Sequence, residues 1–306
     1  MRVKLWGVRG SIPTPLSTEQ VHERLTQALT GAVGVDLTNP ADVQAYIARL
    51  PPAVRGVIGG NTTCVEIDTG TETIIVDCGS GMRPCGYSLM AREFGRGQGV
   101  AHIFLTHAHW DHIQGFPFFP PAFVPDFRLN IYCTKDARAI LDRQMSPPFF
   151  PVGLDVMAST KTFHQLRPDE DIAIGEASLR HIPLPHPQES TAFRVVEHGK
   201  SFVFATDTEH APDHINEPLR KLSEGADVLI YDAQYTSEEY NAGKQGWGHS
   251  TYAEAVKLAR AAKVGRLILY SHDPSHDDEV LRKIEAAAQE LFPNTVAAFD
   301  GMKIEL

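Results

Sequence analysis

The stretch LTHAHWDHIQG (105–115) sets His107, His109, Asp111 and His112 within six positions. It follows AHIFLT (101–106), a run with the composition of a buried strand. A chain leaving a strand presents alternate side chains on one side, so His107 and His109 face the same way. Asp111 and His112 then follow on a turn into a helix. Imidazole and carboxylate together suit zinc, manganese or iron, and a cluster this dense can begin a site for two metals.

Similar strand-like runs recur on both sides of this segment. They are 2–8, 62–68, 73–78 and 129–133, then 191–197, 201–206, 227–232, 266–271 and 295–300. Helical periodicity falls between them, most clearly at 82–94, 136–145, 251–263 and 277–291. Thr251 with Glu254 forms a capping-box pattern, and 277–291 opens on acidic residues. Each half begins with hairpin-like strands and then alternates strand with helix. The pattern predicts two mixed sheets packed face to face with helices outside, in a single domain spanning 1–306. Residues 17–52 read as a helical insertion between strands, capped at Ser17 and Asn39-Pro40 and stopped at Pro51-Pro52.

With 306 residues and 42% hydrophobic content, the chain is long enough for a sizeable core. The start, MRVKLWGVRG, reads as a strand rather than a leader, and no apolar run is long enough for a membrane span. The four cysteines (Cys64, Cys78, Cys85, Cys133) contain no CxxC pair, which predicts a reduced, cytoplasmic setting. A net charge of −10 disfavours long polyanions such as nucleic acid as partners. Oligomeric state is left open.

The H-x-H-x-D-H segment, with WGVRGSIPTP (6–15), GGNTTC (59–64) and DCGSG (77–81), resembles the metallo-β-lactamase-fold superfamily. Its closer likeness is to the phosphodiesterase branch, which holds ribonuclease Z and the cyclic-phosphate and cyclic-nucleotide phosphodiesterases. The resemblance implies an α+β fold, a four-layer αββα sandwich of two mixed β-sheets with metals at one edge. It supplies the remaining metal ligands from later strand ends: His186 in PLPHPQES, Asp207 in FATDTEH and His272 in LYSHDPSHDD. One ion then takes His107, His109, His186 and Asp207; the other takes Asp111, His112, His272 and the bridging Asp207. His181 and His276 are rivals for His186 and His272. Asp77 ends a strand and orders loops behind the metals, whereas His102 and His164 read as core or surface histidines.

Two divalent ions, zinc before manganese or iron, would hold a bridging hydroxide and clamp the oxygens of a group under in-line attack. Asp111 therefore counts among the catalytic groups as well. Protonating the departing alkoxide needs a separate acid. His249 in GWGHSTYAEA matches the His-Ser-Thr motif of the phosphodiesterase branch, and Asp232 in YDAQYT is placed to fix its tautomer. His210, beside Asp207, is a candidate substrate contact. The expected substrate is a small, cyclic phosphodiester, with Phe118, Phe119, Phe149 and Phe150 as a wall for a base. The alternatives are a ribonuclease Z-like endonuclease on tRNA precursors and a thioester or lactone hydrolase on the same scaffold.

Overall fold

A computed structural model describes residues 1–306. Fourteen strands form two seven-stranded sheets. The first half of the chain supplies β1 (Arg2–Gly7), β2 (Cys64–Asp68), β3 (Thr73–Val76), β4 (Val100–Phe104), β5 (Arg128–Cys133) and β6 (Thr160–Gln165). The second half supplies β7 (Ile172–Ile174), β8 (Ala177–Leu184), β9 (Ser190–Glu197), β10 (Lys200–Ala205), β11 (Val228–Asp232), β12 (Arg266–Tyr270) and β13 (Thr295–Ala297). The last strand, β14 (Lys303–Glu305), returns to the first sheet, whose order is β14-β1-β2-β3-β4-β5-β6. The other runs β13-β12-β11-β10-β9-β8-β7. In each sheet antiparallel hairpins give way to parallel strands from β3 and β10 onward. The two-sheet α+β sandwich agrees with the fold expected from the sequence.

Packing explains why β3 reads as a continuous apolar run, TIIV. Ile74 and Val76 point to the core shared with the second sheet, whereas Ile75 joins a second apolar cluster with Met82, Cys85 and Leu89. A strand buried on both faces has no polar side to show. The helix over that outer face is Met82–Met90; on the second sheet Asp278–Leu291 buries Leu281, Ile284 and Ala288, one face of its turns.

The insertion carries two helices, α1 (Thr18–Thr30) and α2 (Pro40–Arg49), followed by a turn at Pro52–Arg55. Ser17 caps α1 with a reciprocal bond to Gln20, and Asn39 caps α2. No residue of either helix is buried. Arg24 Nη2 reaches Asp278 Oδ2 at 2.7 Å and ties α1 to the body of the protein.

Four strands lie outside those read from the sequence: β6, β7, β8 and β14. β6 buries no residue fully and β7 and β14 are three residues each, so tertiary pairing rather than strong periodicity makes them. β8 does alternate, with Ala177, Leu179 and His181 inward, but Arg180 and Pro183 dilute its apolar signal.

Candidate metal centre

The site forms where strands of both sheets end. β4 delivers Leu105, Thr106 and His107, and the chain then enters the short helix Trp110–Ile113 through His109. Three other strand ends turn sharply there: Asp77 after β3, Asp207 after β10 and Ser271 after β12 have φ of 61°, 56° and 58°. Left-handed backbone at non-glycine residues is uncommon, and it gathers where the surrounding fold over-determines it, often at functional sites.

His107, His109, His186 and Asp207 converge so that their ligand atoms lie within 4.8 Å of one another. His107 Nε2 is 2.8 Å from His109 Nδ1, and His186 Nε2 is 3.2 Å from the same atom. Asp207 Oδ1 lies 3.8 Å from His107 Nε2 and 3.9 Å from His186 Nε2. Four ligands around a zinc-sized ion stand about 3.3 Å apart, given bonds of about 2.0–2.1 Å. The donor set fits a divalent cation. Burial, reinforced by His112, holds His107 well below the ordinary histidine range, which leaves its lone pair free.

The outward nitrogens of these rings are held as well. His186 Nδ1 donates to the Gly248 carbonyl at 2.8 Å, and His107 Nδ1 is 3.0 Å from Thr106 Oγ1. Such partners fix ring orientation at a metal. Gly248 has φ of +87°, and a Cβ there would stand 2.2 Å from His186 Nδ1. Only glycine allows this approach.

Asp111, His112 and Asp207 form a second group, sharing Asp207 with the first. His112 Nε2 is 3.2 Å from Asp207 Oδ2 and 3.4 Å from Asp111 Oδ2, while its Nδ1 is 2.7 Å from Asp77 Oδ2. Asp77 is fully buried and also accepts from Thr106 N and Thr106 Oγ1. Without a cation, burial opposes charge on His112, but Asp207, Asp111 and Asp77 outweigh it and raise its pKa well above normal. Burial alone would likewise raise Asp207, yet His112, His249 and His107 hold it well below the usual carboxylate range. The pocket therefore favours positive charge.

His249 stands at the edge of both groups, with Nδ1 2.8 Å from Asp232 Oδ2 and Nε2 3.9 Å from Asp207 Oδ1. Burial disfavours its cation, but Asp232 first, then Asp207 and Asp111, push its pKa up to about 9. Asp232 also receives the N–H groups of Asp207 and Ser250, so one buried carboxylate links the β10 turn to the His249 loop.

His272, expected from the resemblance as a further ligand, lies outside both of these groups. Its Nε2 donates to the Ala298 carbonyl at 2.9 Å, among Arg9 and His276, and burial holds its pKa down to about 3. His272 follows the left-handed Ser271 at the turn after β12. Neither rival takes a place, since His276 Nε2 meets Glu239 and His181 Nε2 meets the Arg167 carbonyl.

Phe119 is wholly buried in the apolar core, while Phe118 and Phe149 are exposed. His210 Nδ1 lies 3.0 Å from Ser250 Oγ. It lines a cavity of about 370 Å³ with Pro185, His186, Pro187 and Glu209. Glu209 is a residue the sequence reading passed over. It accepts from Gly246 N, Gly248 N and Tyr240 Oη at 2.7–2.9 Å, and so anchors the loop before His249. Trp110 and Trp247, 82% and 59% exposed, neighbour His109 and Gly248 in the chain, and an indole between His109 and Asp111 is the signal that could have marked the first.

Histidines and carboxylates gathered at strand ends of a two-sheet sandwich define a metallo-hydrolase centre. The model of the beta-lactamase superfamily domain matches residues 72–272, and the chain belongs to that family. Ribonuclease Z of Gemmatimonas aurantiaca is 26% identical over 310 residues, covering 85% of this chain and 93% of its own. The short form of human tRNase Z superposes with a TM-score of 0.63 at 19% identity, covering 100% of this chain and 99% of that one. A diphosphatase of the PhnP family gives 0.62 at 18%, covering 100% and 97%. Family, fold and relatives make the chain a metal-dependent hydrolase of the phosphodiesterase branch. No helix is long and apolar enough to cross a membrane.

Proposed function

We propose that the protein hydrolyses a small phosphodiester, of the cyclic-phosphate or nucleotide class. The observation that carries this is a cavity of about 370 Å³ whose wall includes His186, one of the clustered metal-ligand candidates. That volume matches a small-molecule ligand. His107, His109, His186, Asp207, Asp111 and His112 hold divalent metal, with zinc favoured by the imidazole-rich group. When bound, such ions acidify water to a nucleophile and screen negative charge at phosphorus.

The chain's own residues supply the rest. His249, with Nδ1–H given to Asp232, carries its second proton on Nε2, toward the metal-ligand cluster, and delivers it to the departing oxygen. Asp232 fixes that tautomer. Trp110, exposed next to His109 in the chain, offers a flat apolar face for a base or other ring of the substrate.

A second reading, a ribonuclease Z-like endonuclease, is favoured by the relatives of that name. It requires a local basic face able to overcome the net charge of −10. The test is one panel: bis-p-nitrophenyl phosphate, cyclic nucleotides, cyclic ribose phosphates, precursor tRNA and a thioester. Turnover of small diesters supports the proposal. Preference for precursor tRNA supports the second reading, and turnover of the thioester alone removes both.

A further inference from the structure

The cavity of about 370 Å³ beside His186 contains one polar side-chain group that the fold leaves unused. Pro185, Pro187 and Ala211 give it apolar walls. Glu209 also lines it, but both carboxylate oxygens are engaged. Oε1 accepts from Gly246 N and Tyr240 Oη, and Oε2 accepts from Gly248 N. His186 is engaged as well, through Nδ1 at the Gly248 carbonyl and Nε2 at His109.

His210 differs. Its Nδ1 lies 3.0 Å from Ser250 Oγ, and its ring packs against that of Tyr240 with centroids 4.4 Å apart. Nε2 bonds to nothing in the protein, yet it is not among the polar atoms sealed from solvent without a partner. The ring is thus fixed along one edge and one face, with its remaining nitrogen open. Ser250 adjoins His249 and gives its N–H to Asp232 Oδ1, so one loop carries the proposed acid and holds His210. A group oriented before its ligand arrives loses little entropy on binding.

Burial holds the His210 imidazole below the ordinary histidine range, so near neutral pH it offers a hydrogen bond and no charge. That suits a neutral partner better than a phosphoryl oxygen, whose charge belongs at the metal-ligand candidates. A neutral imidazole nitrogen donates or accepts according to tautomer, and a hydroxyl meets either. In a cyclic nucleotide both ester oxygens belong to the sugar, so the sugar is what stands beside the phosphorus under attack.

We propose that this cavity takes the sugar of a nucleoside cyclic phosphate and that His210 Nε2 bonds its free hydroxyl. The claim rests on the reading of the protein as a small-phosphodiester hydrolase and names the substrate class within it. His210 is then a residue that determines specificity.

The test loads the full chain with zinc and measures kcat/KM on two pairs of substrates. One is adenosine 3′,5′-cyclic phosphate with its 2′-deoxy analogue; the other is adenosine 2′,3′-cyclic phosphate with its 5′-deoxy analogue. In the pair that turns over, the hydroxyl-bearing member should be preferred by roughly 3- to 10-fold, the worth of one neutral hydrogen bond. His210→Phe keeps a ring against Tyr240 but removes both nitrogens, and the preference should vanish. His210→Ala should lose it too, whereas His210→Gln, with an amide that donates and accepts, should keep it. A merely structural role would slow both members alike and leave the ratio standing. That result, or a wild-type protein without the preference, overturns the inference and spares the diester reading. Turnover of bis-p-nitrophenyl phosphate but of neither pair does the same. Inactivity on every diester removes both.

Discussion

His249 Nδ1 stands 2.8 Å from Asp232 Oδ2, and that carboxylate also receives the N–H of Asp207 at 3.0 Å. A single buried acid thus holds His249 and the turn carrying Asp207 in fixed relation.

If His249 protonates the departing oxygen, its value depends on how poor the leaving group is. His249→Ala is expected to lose roughly 100- to 10,000-fold in kcat on an alkyl phosphodiester, the range for general acid catalysis. On bis-p-nitrophenyl phosphate, whose leaving group needs no proton, the loss should be far smaller at unchanged metal content. Equal losses on both substrates would remove the acid role.

The raised pKa of His249 also sets a pH dependence for the metal-free protein. A group whose folded pKa, about 9 here, lies above its unfolded value of about 6.5 stabilises the fold fully below the unfolded value. That contribution disappears as pH rises through the folded one. Melting curves of the stripped protein and of stripped His249→Gln should differ most near pH 6 and converge above about pH 9. A gap that widens with pH would contradict this.

Asp77 is buried and faces His112 Nδ1 at 2.7 Å. Burial raises its carboxyl pKa while His112 opposes that rise. Removing one member of a buried, bonded pair costs about 3–5 kcal/mol, so Asp77→Ala should lower the denaturation midpoint markedly. The milder Asp77→Asn should fold yet weaken metal at the Asp111–His112 group by about 10–100-fold. Urea unfolding and metal titration separate the two effects.

Gly248→Ala is expected to disturb the centre from outside it. The added carbon would stand 2.2 Å from His186 Nδ1 on backbone at φ of +87°. The loop must shift, and His186 loses its carbonyl partner. A drop of about 10–100-fold in affinity for metal at the His107, His109 and His186 group is the expected outcome, measured by competition with a chelating dye.

Much of this centre is legible along the chain because its ligands follow strands. His107, His109, Asp111 and His112 are local to one segment, and Asp207 and Asp232 end apolar runs that period and composition reveal. The Glu209 anchor is not legible in this way. Its three donors, Tyr240 in a short helix and Gly246 and Gly248 in the loop after it, lie 31–39 residues away, and nothing in a lone glutamate announces them.

By itself the sequence determined the layered sheet pattern, the metal-binding segment and the strand ends from which further ligands come, because alternation and apolar runs are written residue by residue. Tertiary structure alone decided that His186 meets the Gly248 carbonyl and that His272 meets the Ala298 carbonyl. The left-handed φ of Ser271 carries no mark in its residue type. Both bonds join residues far apart in the chain, 62 and 26 positions, so no local pattern announces them.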